Sequence, residues 1–567
     1  MSVVHAWVGA TTPSSATVVT KVTGSSVRLA VSESAGLTSP VYFGPVSPNA
    51  QGIARVTATG LAHSGRYHFA VEDSGVLDSA FRGQFRTHPP AGQPASFTIG
   101  LASCAGGTPD FPGVGSVLAP GRLSNSTVFD TIRAKAVAEN WLLFIHAGDR
   151  HYYDIGSEVH VPGFSLTTYR RAYDDVMAQP RQHALYRNVA TAYMYDDHDF
   201  GPNNSDRTAP GRANSIQAYR ERVPHYPLGA TGTASPNYQS FQIGRVLFVL
   251  WDCRADRDPA GEPAGTGKTM LGAGQRAWFE NLLATSGAAA LVVVNTSQWD
   301  TNHPDTWGGY THERNEIVRI LSAPGGDSGR NWLHRMCLLQ GDAHALGISS
   351  TNLWGGFPVF QFASLDSSFS TDQPWRDVGT RAGRAQYGTL AVSDSGDKIT
   401  FTGTGWAGSS NEMRYSFTVP DVVTVPAAVQ STQDGRYTAT ITEFGTAIAD
   451  GDYYHCGVVF TAPPSGRVTL MWSGGIRNLA DAETPVAYLS PEVRTGPVVG
   501  SGSVVLTAHD SRTVRINCGG VQTMRAGAAH LVTGLVPGRL YNARILHRVT
   551  SNTGEFFYRG LIAEPVA

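Results

Sequence analysis

Between residues 95 and 420, six apolar runs each stop at a cluster of polar residues. Phe97–Ala102 stops at Ser103-Cys104, Trp141–Ile145 at His146-Ala-Gly-Asp149, and Val189–Tyr195 at Asp196-Asp-His-Asp199. Val246–Trp251 stops at Asp252-Cys-Arg254, Ala289–Val294 at Asn295-Thr-Ser-Gln298, and Met336–Leu339 at Gln340-Gly-Asp342-Ala-His344. Apolar runs of this length without polar alternation predict strands buried on both faces. Helical spacing falls between several of them, over Thr127–Asn140 behind a Ser126 cap and over Gly274–Ala284 with Gln275, Trp278 and Leu282 on one side. Buried strands alternating with helices predict an α/β layered domain. Ligands of such domains sit outside the carboxyl ends of the strands, so the polar clusters are expected to gather there.

Both flanks have a different texture. Residues 1–90 carry short alternating segments such as Ala16-Thr-Val-Val-Thr-Lys-Val, broken by Gly, Ser and Pro, which predicts a β-sandwich. His88-Pro-Pro-Ala-Gly-Gln-Pro reads as the linker to a central domain over 95–420. From 422 to 567 the sequence is β-rich again. Leu61 precedes Tyr67 by the same step that separates Leu535 from Tyr541, which predicts in each flank a corner tyrosine whose hydroxyl reaches back to the backbone. Residues 1–90 and about 460–567 thus each resemble a fibronectin type III domain.

Composition narrows the class. The 567 residues predict three or four domains of about 100–200 residues each. With 63 glycines, 32 prolines, 41% hydrophobic and 16% charged residues, the chain reads as globular and turn-rich, which excludes disorder, collagen and coiled coil. Forty-three basic against 45 acidic residues leave no basic excess for nucleic acid or a membrane surface. No run of 18 apolar residues predicts a membrane span, and Met1-Ser-Val-Val-His-Ala-Trp is not expected to be a signal peptide. The five cysteines form no disulfide framework, and pairing of Cys456 with Cys518 is left open. Gly265-Thr-Gly-Lys-Thr269 has the look of a P-loop but lacks its first glycine and follows a loop, so nucleotide binding is not expected there.

The polar clusters supply Cys104, Asp149, Asp197, His198, Asp342 and His344, with Tyr152 and Asn204 close by. Oxygen donors mixed with imidazole and one thiol suit a transition-type ion beside an oxygen-preferring one. Two adjacent cations can clamp a phosphoryl oxygen during in-line displacement. Each residue also has a plainer reading. Cys104 fits a small buried side chain, Tyr152 rim packing, and Asp342 with His344 two positions on one strand face. Asp-Asp-His-Asp reads as a charged turn, although four ionisable neighbours after a buried strand repel unless a cation holds them. Arg254 reads either as a partner of Asp252 or as a bidentate phosphate clamp.

In order along the chain, these clusters resemble the motifs of the PhoD-like alkaline phosphatases, a branch of the calcineurin-like metallophosphoesterases. Ala102-Ser-Cys104 resembles the opening Ser-Cys, Gly148-Asp149 with Tyr152 the Gly-Asp-x-x-Tyr, and Asp196-Asp-His-Asp199 with Asn203-Asn204 the Asp-Asp-His-acid segment. Asp252-Cys-Arg254, Leu271-Gly…Gln275…Trp278, Asp305-Thr-Trp-Gly-Gly-Tyr310…Glu313-Arg314 and Gly341-Asp-Ala-His344 continue the series. Arg150-His151 departs from it, since the family usually has tyrosine and an aliphatic residue there.

The resemblance implies a four-layer α/β sandwich and a phosphomonoesterase or phosphodiesterase working by metal-bound hydroxide. It implies an iron and calcium site, other divalent metals being open. Cys104, Asp149, Tyr152 and His344 would lie on the iron side and Asp197, Asn204 and Asp342 around the second metal, with Asp149 bridging. His198 would act as proton donor or charge stabiliser near the leaving group, and Arg254 would hold the phosphate. Segments such as Phe460-Thr-Ala-Pro-Pro-Ser-Gly-Arg-Val and Leu531-Val-Thr-Gly-Leu-Val-Pro-Gly-Arg-Leu-Tyr541 are similar to C-terminal domains of minor tail proteins of phages that infect actinobacteria. That similarity implies a virion tail location, tail proteins and further copies of the chain as partners, and a phosphate-bearing envelope polymer or lipid head group as substrate. The alternatives are a secreted enzyme acting on small phosphoesters and a tail module whose phosphatase-like domain is inactive.

Overall fold

The computed structural model describes residues 2–106, 123–156, 162–322, 331–352, 354–367 and 376–419. Beyond these it describes 429–433, 437–439, 444–445, 456–463, 466–478, 486–517, 523–536, 539–550 and 554–566. Contacts divide the chain into two units, one built from 1–282, 287–314 and 334–419, the other mainly from 420–567.

The first unit opens with a sandwich. Val3–Gly9, Ser15–Val22 and Ile53–Thr59 form an antiparallel three-stranded sheet, opposite a sheet of Val41–Val46, Val27–Ser32 and Arg66–Asp73 edged by Val76–Leu77 and Gly83–Arg86. Alternation puts Val18, Leu29, Val56, Phe69 and Phe85 inside. The Tyr67 hydroxyl accepts the Ala62 N–H at 2.8 Å, the corner contact expected from its spacing.

Two larger sheets follow. The first has six strands in the order Thr191–Met194, Leu143–Ala147, Phe97–Ala102, Gln386–Asp394, Ile399–Ala407 and Ser410–Val419. Its first three strands run parallel and the rest antiparallel. The second has seven, in which Val246–Leu250, Ala290–Asn295, Met336–Gln340 and Val359–Phe362 are parallel neighbours. The sheets stack. Phe97 meets Phe248 at 6.2 Å between ring centroids, and a Cβ at Gly388 or Gly403 would fall within 2.1 Å of the Phe362 or Phe360 ring, so only glycine fits at those crossings. Helix Val128–Ala138 lies over the six-stranded sheet, Lys135 reaching 3.6 Å from the Trp406 ring, and Trp251 packs edge-on against Phe279 of helix Gly272–Thr285. The Ser126 hydroxyl accepts the Val128 N–H at 3.3 Å, yet the cap position itself belongs to Thr127.

The sandwich is fastened to this α/β core by an ion cluster. Asp174 accepts from Lys21 at 2.7 Å and His5 at 3.4 Å and pairs with buried Arg222. Trp7 stacks on Tyr186 of helix Pro180–Asn188 at 5.1 Å and 18°.

The second unit contains two antiparallel five-stranded sheets. One is centred on Val468–Asn478 and Gly554–Pro565, the other on Val486–Thr495 and Leu540–Val549. Val458, Phe460, Leu470, Trp472, Leu489 and Ile545 fill its core. The Tyr541 hydroxyl accepts the Val536 N–H at 2.9 Å, repeating the corner of Tyr67. Cys456 is a free thiol donating to the Ser431 carbonyl at 3.5 Å, and Cys518 lies outside the described residues.

Candidate metal centre

Both large sheets deliver their carboxyl ends to one place. Cys104 follows Phe97–Ala102, Asp149 follows Leu143–Ala147, and Asp196 to Asp199 follow Thr191–Met194. From the seven-stranded sheet, Asp342 and His344 follow Met336–Gln340. Two glycines make the approach possible. A Cβ on Gly148 (φ +88°) would stand 2.4 Å from the Asp196 Cβ, and one on Gly341 would stand 2.5 Å from the Ala147 carbonyl oxygen and 2.8 Å from the Ser103 Cβ.

Cys104, Asp149 and His344 each offer a donor atom within 4.8 Å of the others, and so do Asp149, Asp197 and His198. Asp149 belongs to both groups. Tyr152 joins the first, its hydroxyl donating to Asp149 Oδ2 at 3.1 Å and standing 2.7 Å from His344 Nε2. Oxygens Oδ1 of Asp149, Oδ1 of Asp197 and Oδ2 of Asp196 are buried without a hydrogen-bond partner. A buried carboxylate oxygen left unpaired is costly, and a cation removes that cost. The residues present therefore fit a metal pair, with thiol, phenol and imidazole on one side of Asp149 and the Asp197 carboxylate on the other.

Electrostatics point the same way. Burial pushes the Asp149 carboxyl well above its ordinary range, and Asp197, Asp196 and Asp199 push it further against the pull of His198. Asp342 is raised by burial and then by Asp197. Burial raises the Cys104 thiol and the Tyr152 phenol, Asp149 adding to both. His198 is lifted to about 10, since Asp197, Asp149 and Asp154 together outweigh the opposing effect of burial. Its Nδ1 is held by Asp154, and its ring lies 4.3 Å from that of Tyr152.

Other expected residues sit differently. Arg254, expected to clamp phosphate, has 0% side-chain exposure and is committed to Asp196, with Nε to Oδ1 at 2.6 Å and Nη2 3.5 Å from Asp197. That pair holds the Asp196–Asp199 turn, while Nη2 has no hydrogen-bond partner; the Arg254 backbone N–H donates to Asp252 Oδ1 at 3.1 Å, and Asp252 also takes Tyr195 and the Asn237 N–H at 2.8 Å. Asn204 is exposed and reaches Asp197 through its backbone N–H, 2.7 Å from Oδ2. Asp342 lies outside both close groups. Its strand has ended by Gln340, so Asp342 (φ +67°) and His344 (φ +51°) are placed by left-handed turns and not by strand alternation. Cys104, Asp149 and Asn204 share that left-handed backbone, with φ of +63°, +54° and +62°. Such clustering of non-glycine residues, at about 1 kcal/mol each, is a mark of functional sites.

The reading from sequence overlooked Asp154, Asp199 and Gln298. The Asp199 carboxylate receives the N–H groups of Asp149 at 2.7 Å and Arg150 at 3.0 Å, tying one strand end to the next. Gln298 acts on the Asp342 carboxyl, holding it down against the rise that burial causes. Asp199 and Gln298 stand in noted strand-end clusters, whereas Asp154 carries no spacing signal. The P-loop look-alike is accounted for, as Lys268 Nζ donates to the Ala260 and Glu262 carbonyls at 2.8 Å and closes its own loop. A cleft of about 850 Å³ is lined by none of these residues but by His63, Arg86, Pro90, Glu139 and Thr402 among others.

Residues 122–360 match the family described as PhoD-like phosphatase. Alkaline phosphatase D of Bacillus subtilis (strain 168) is 24% identical over 256 residues, which are 37% of this chain and 42% of that protein, so the chain spans less than half of this curated relative. The solved structure of PhoD superposes with a TM-score of 0.58 at 17% identity, covering 73% of this chain and 90% of that one. A purple acid phosphatase from yellow lupin seeds gives a TM-score of 0.47 at 12% identity, covering 74% of each chain. The likeness to PhoD is one of fold.

Proposed function

We propose that this chain, which carries a PhoD-like phosphatase domain, is a metal-dependent phosphoesterase that hydrolyses phosphomonoesters or phosphodiesters. The observation that carries the reading is Asp149, one buried carboxylate shared by two donor groups with its Oδ1 unpaired. Cys104, Tyr152 and His344 suit iron, and Asp197, with Asp342 near it and its Oδ2 held by the Asn204 N–H, suits calcium. Metals bound there supply Lewis acidity towards phosphoryl oxygens and a nucleophile at neutral pH. The protein supplies the rest. Asp199 fixes the Asp149 backbone, Arg254 fixes the aspartate turn, and His198, kept protonated against Asp154, offers its proton to the departing alkoxide. The domain is read as the four-layer sandwich of metallophosphoesterases, which two stacked sheets carrying helices support.

Chelation of the purified chain is expected to lower hydrolysis of p-nitrophenyl and bis-(p-nitrophenyl) phosphate by about a hundredfold or more, and iron with calcium to restore it. Wild-type protein that stays inactive once both ions are supplied would overturn the reading.

We further propose that the chain works in a phage tail on phosphate-bearing envelope material. Support comes from the tail-protein-like segments between residues 460 and 567 and from the second unit's two five-stranded sheets, with a core and a corner tyrosine of their own. The same features favour the fibronectin type III reading of that unit. Mass spectrometry of purified virions is expected to find the chain in tail fractions, and its absence there would leave a free enzyme.

A further inference from the structure

We propose that the N-terminal sandwich positions the metal ligand Asp149 through a cation–π contact between Trp7 and Arg150, an inference that rests on the phosphoesterase reading above. Arg150 follows Asp149 directly, and its side chain is completely buried. Its Nε, Nη1 and Nη2 find no hydrogen-bond partner within 3.5 Å. Ring faces surround it instead. The guanidinium carbon lies 4.1 Å from the Tyr173 ring centroid, 4.4 Å from that of Tyr193 and 5.3 Å from that of Trp7. Tyr173 and Tyr193 belong to the α/β core, but Trp7 belongs to the first strand of the sandwich.

A buried guanidinium without a hydrogen-bonded partner is tolerable only where something replaces the lost water, and desolvated aromatic faces do so. The backbone of this same turn is held from the other side, where Asp199 receives the Asp149 and Arg150 N–H groups. Asp149 is thus fixed between Asp199 on its backbone and an aromatic cage on its neighbour. Stacking on Tyr186 holds Trp7 in place as one wall of that cage. Loss of the Trp7 face leaves Arg150 drawn towards water, and its movement carries Asp149 out of register with Cys104 and His344. Trp7 and Arg150 are positioning residues, since neither is among the metal donors.

The test titrates Co2+, a coloured ion that accepts nitrogen, oxygen and sulfur donors, into chelator-stripped full-length chain. Affinity is followed by its d–d and thiolate absorption, and a melting curve is recorded for each variant. Trp7→Phe, which keeps a ring face, is expected to bind within about twofold of wild type. Trp7→Leu, which keeps apolar bulk without the face, is expected to bind about tenfold more weakly, as outer-shell losses do. Leucine performing like wild type, or phenylalanine failing like leucine, would reduce the contact to packing and overturn the proposal. Should W7L not fold, Arg150→Met takes its place, with the same tenfold loss expected and wild-type affinity counting against the proposal. A wild-type chain that takes up no Co2+ sinks the phosphoesterase reading and this inference together, whereas an unaltered W7L sinks this inference alone.

Discussion

In chelator at neutral pH, Asp149→Asn is expected to melt about 2 °C or more above the wild type, although its hydrolysis with metals supplied falls by more than about a hundredfold. The two effects share one cause. Asp149 is buried among Asp196, Asp197 and Asp199, and burial followed by these neighbours raises its carboxyl well above the usual range. For an acid whose folded pKa exceeds its unfolded one, the folded state binds the extra proton, so stability declines as pH rises through the interval between the two values. Each pK unit of that interval corresponds to about 1.4 kcal/mol. The amide removes the penalty, so the gap between D149N and wild type should be small near pH 4, about the unfolded value, and widen as pH rises. It also removes the shared donor, and metal binding goes with it. Melting curves across pH, with metal content and turnover on the same samples, decide the matter. A variant less stable than wild type at every pH would mark Asp149 as a structural residue.

Arg254→Met should have the largest cost in stability, about 3–5 kcal/mol, because it strands Asp196 as a buried charge. Arg254→Lys should recover only part of that loss, since an ammonium cannot follow the guanidinium to Asp196, Asp197 and the Ser205 carbonyl together. This separates the two readings of the arginine. A phosphate clamp would leave the melting temperature near wild type and raise KM; a buried counter-ion lowers the melting temperature whether or not substrate is present. Denaturant unfolding beside steady-state kinetics of both variants distinguishes them. Unchanged stability with a raised KM would return Arg254 to the phosphate.

The six apolar runs were legible because strands buried on both faces have nothing to alternate with. Phe97–Ala102 begins and ends where the pattern predicts, and the other five shift by one or two residues. The antiparallel half of the first sheet was not legible. Gln386–Asp394, Ile399–Ala407 and Ser410–Val419 are rich in Thr, Ser and Gly, and their fit depends on Gly388 and Gly403 passing under Phe362 and Phe360, partners distant in sequence or hidden in another sheet. Within the site, residue types gave Cys104, Asp149, Asp197 and His344 away, since thiol, carboxylate and imidazole at strand ends are chemically conspicuous. What they could not give was direction. Arg254 turns inward because Asp196 is buried beside it, and Asn204 offers backbone because a left-handed turn faces its side chain outward. Asp154 was passed over for want of any spacing signal, and only the fold brings it to His198.

Strand Phe97–Ala102 pairs on one side with Leu143–Ala147 and on the other with Gln386–Asp394. For a nascent chain this imposes a wait. At about 5–20 residues per second, the roughly 300 residues between the two edges of that pairing take on the order of 15–60 s to leave the ribosome. During that interval one edge of Phe97–Ala102, which leads directly into Cys104, has no partner and is open to pairing with any other strand. The leading sandwich finds all its strand partners within residues 3–86, but the pocket for metal waits for the strand at 386–394. A chain stalled or released before residue 386 would therefore carry that open edge beside an incomplete metal pocket.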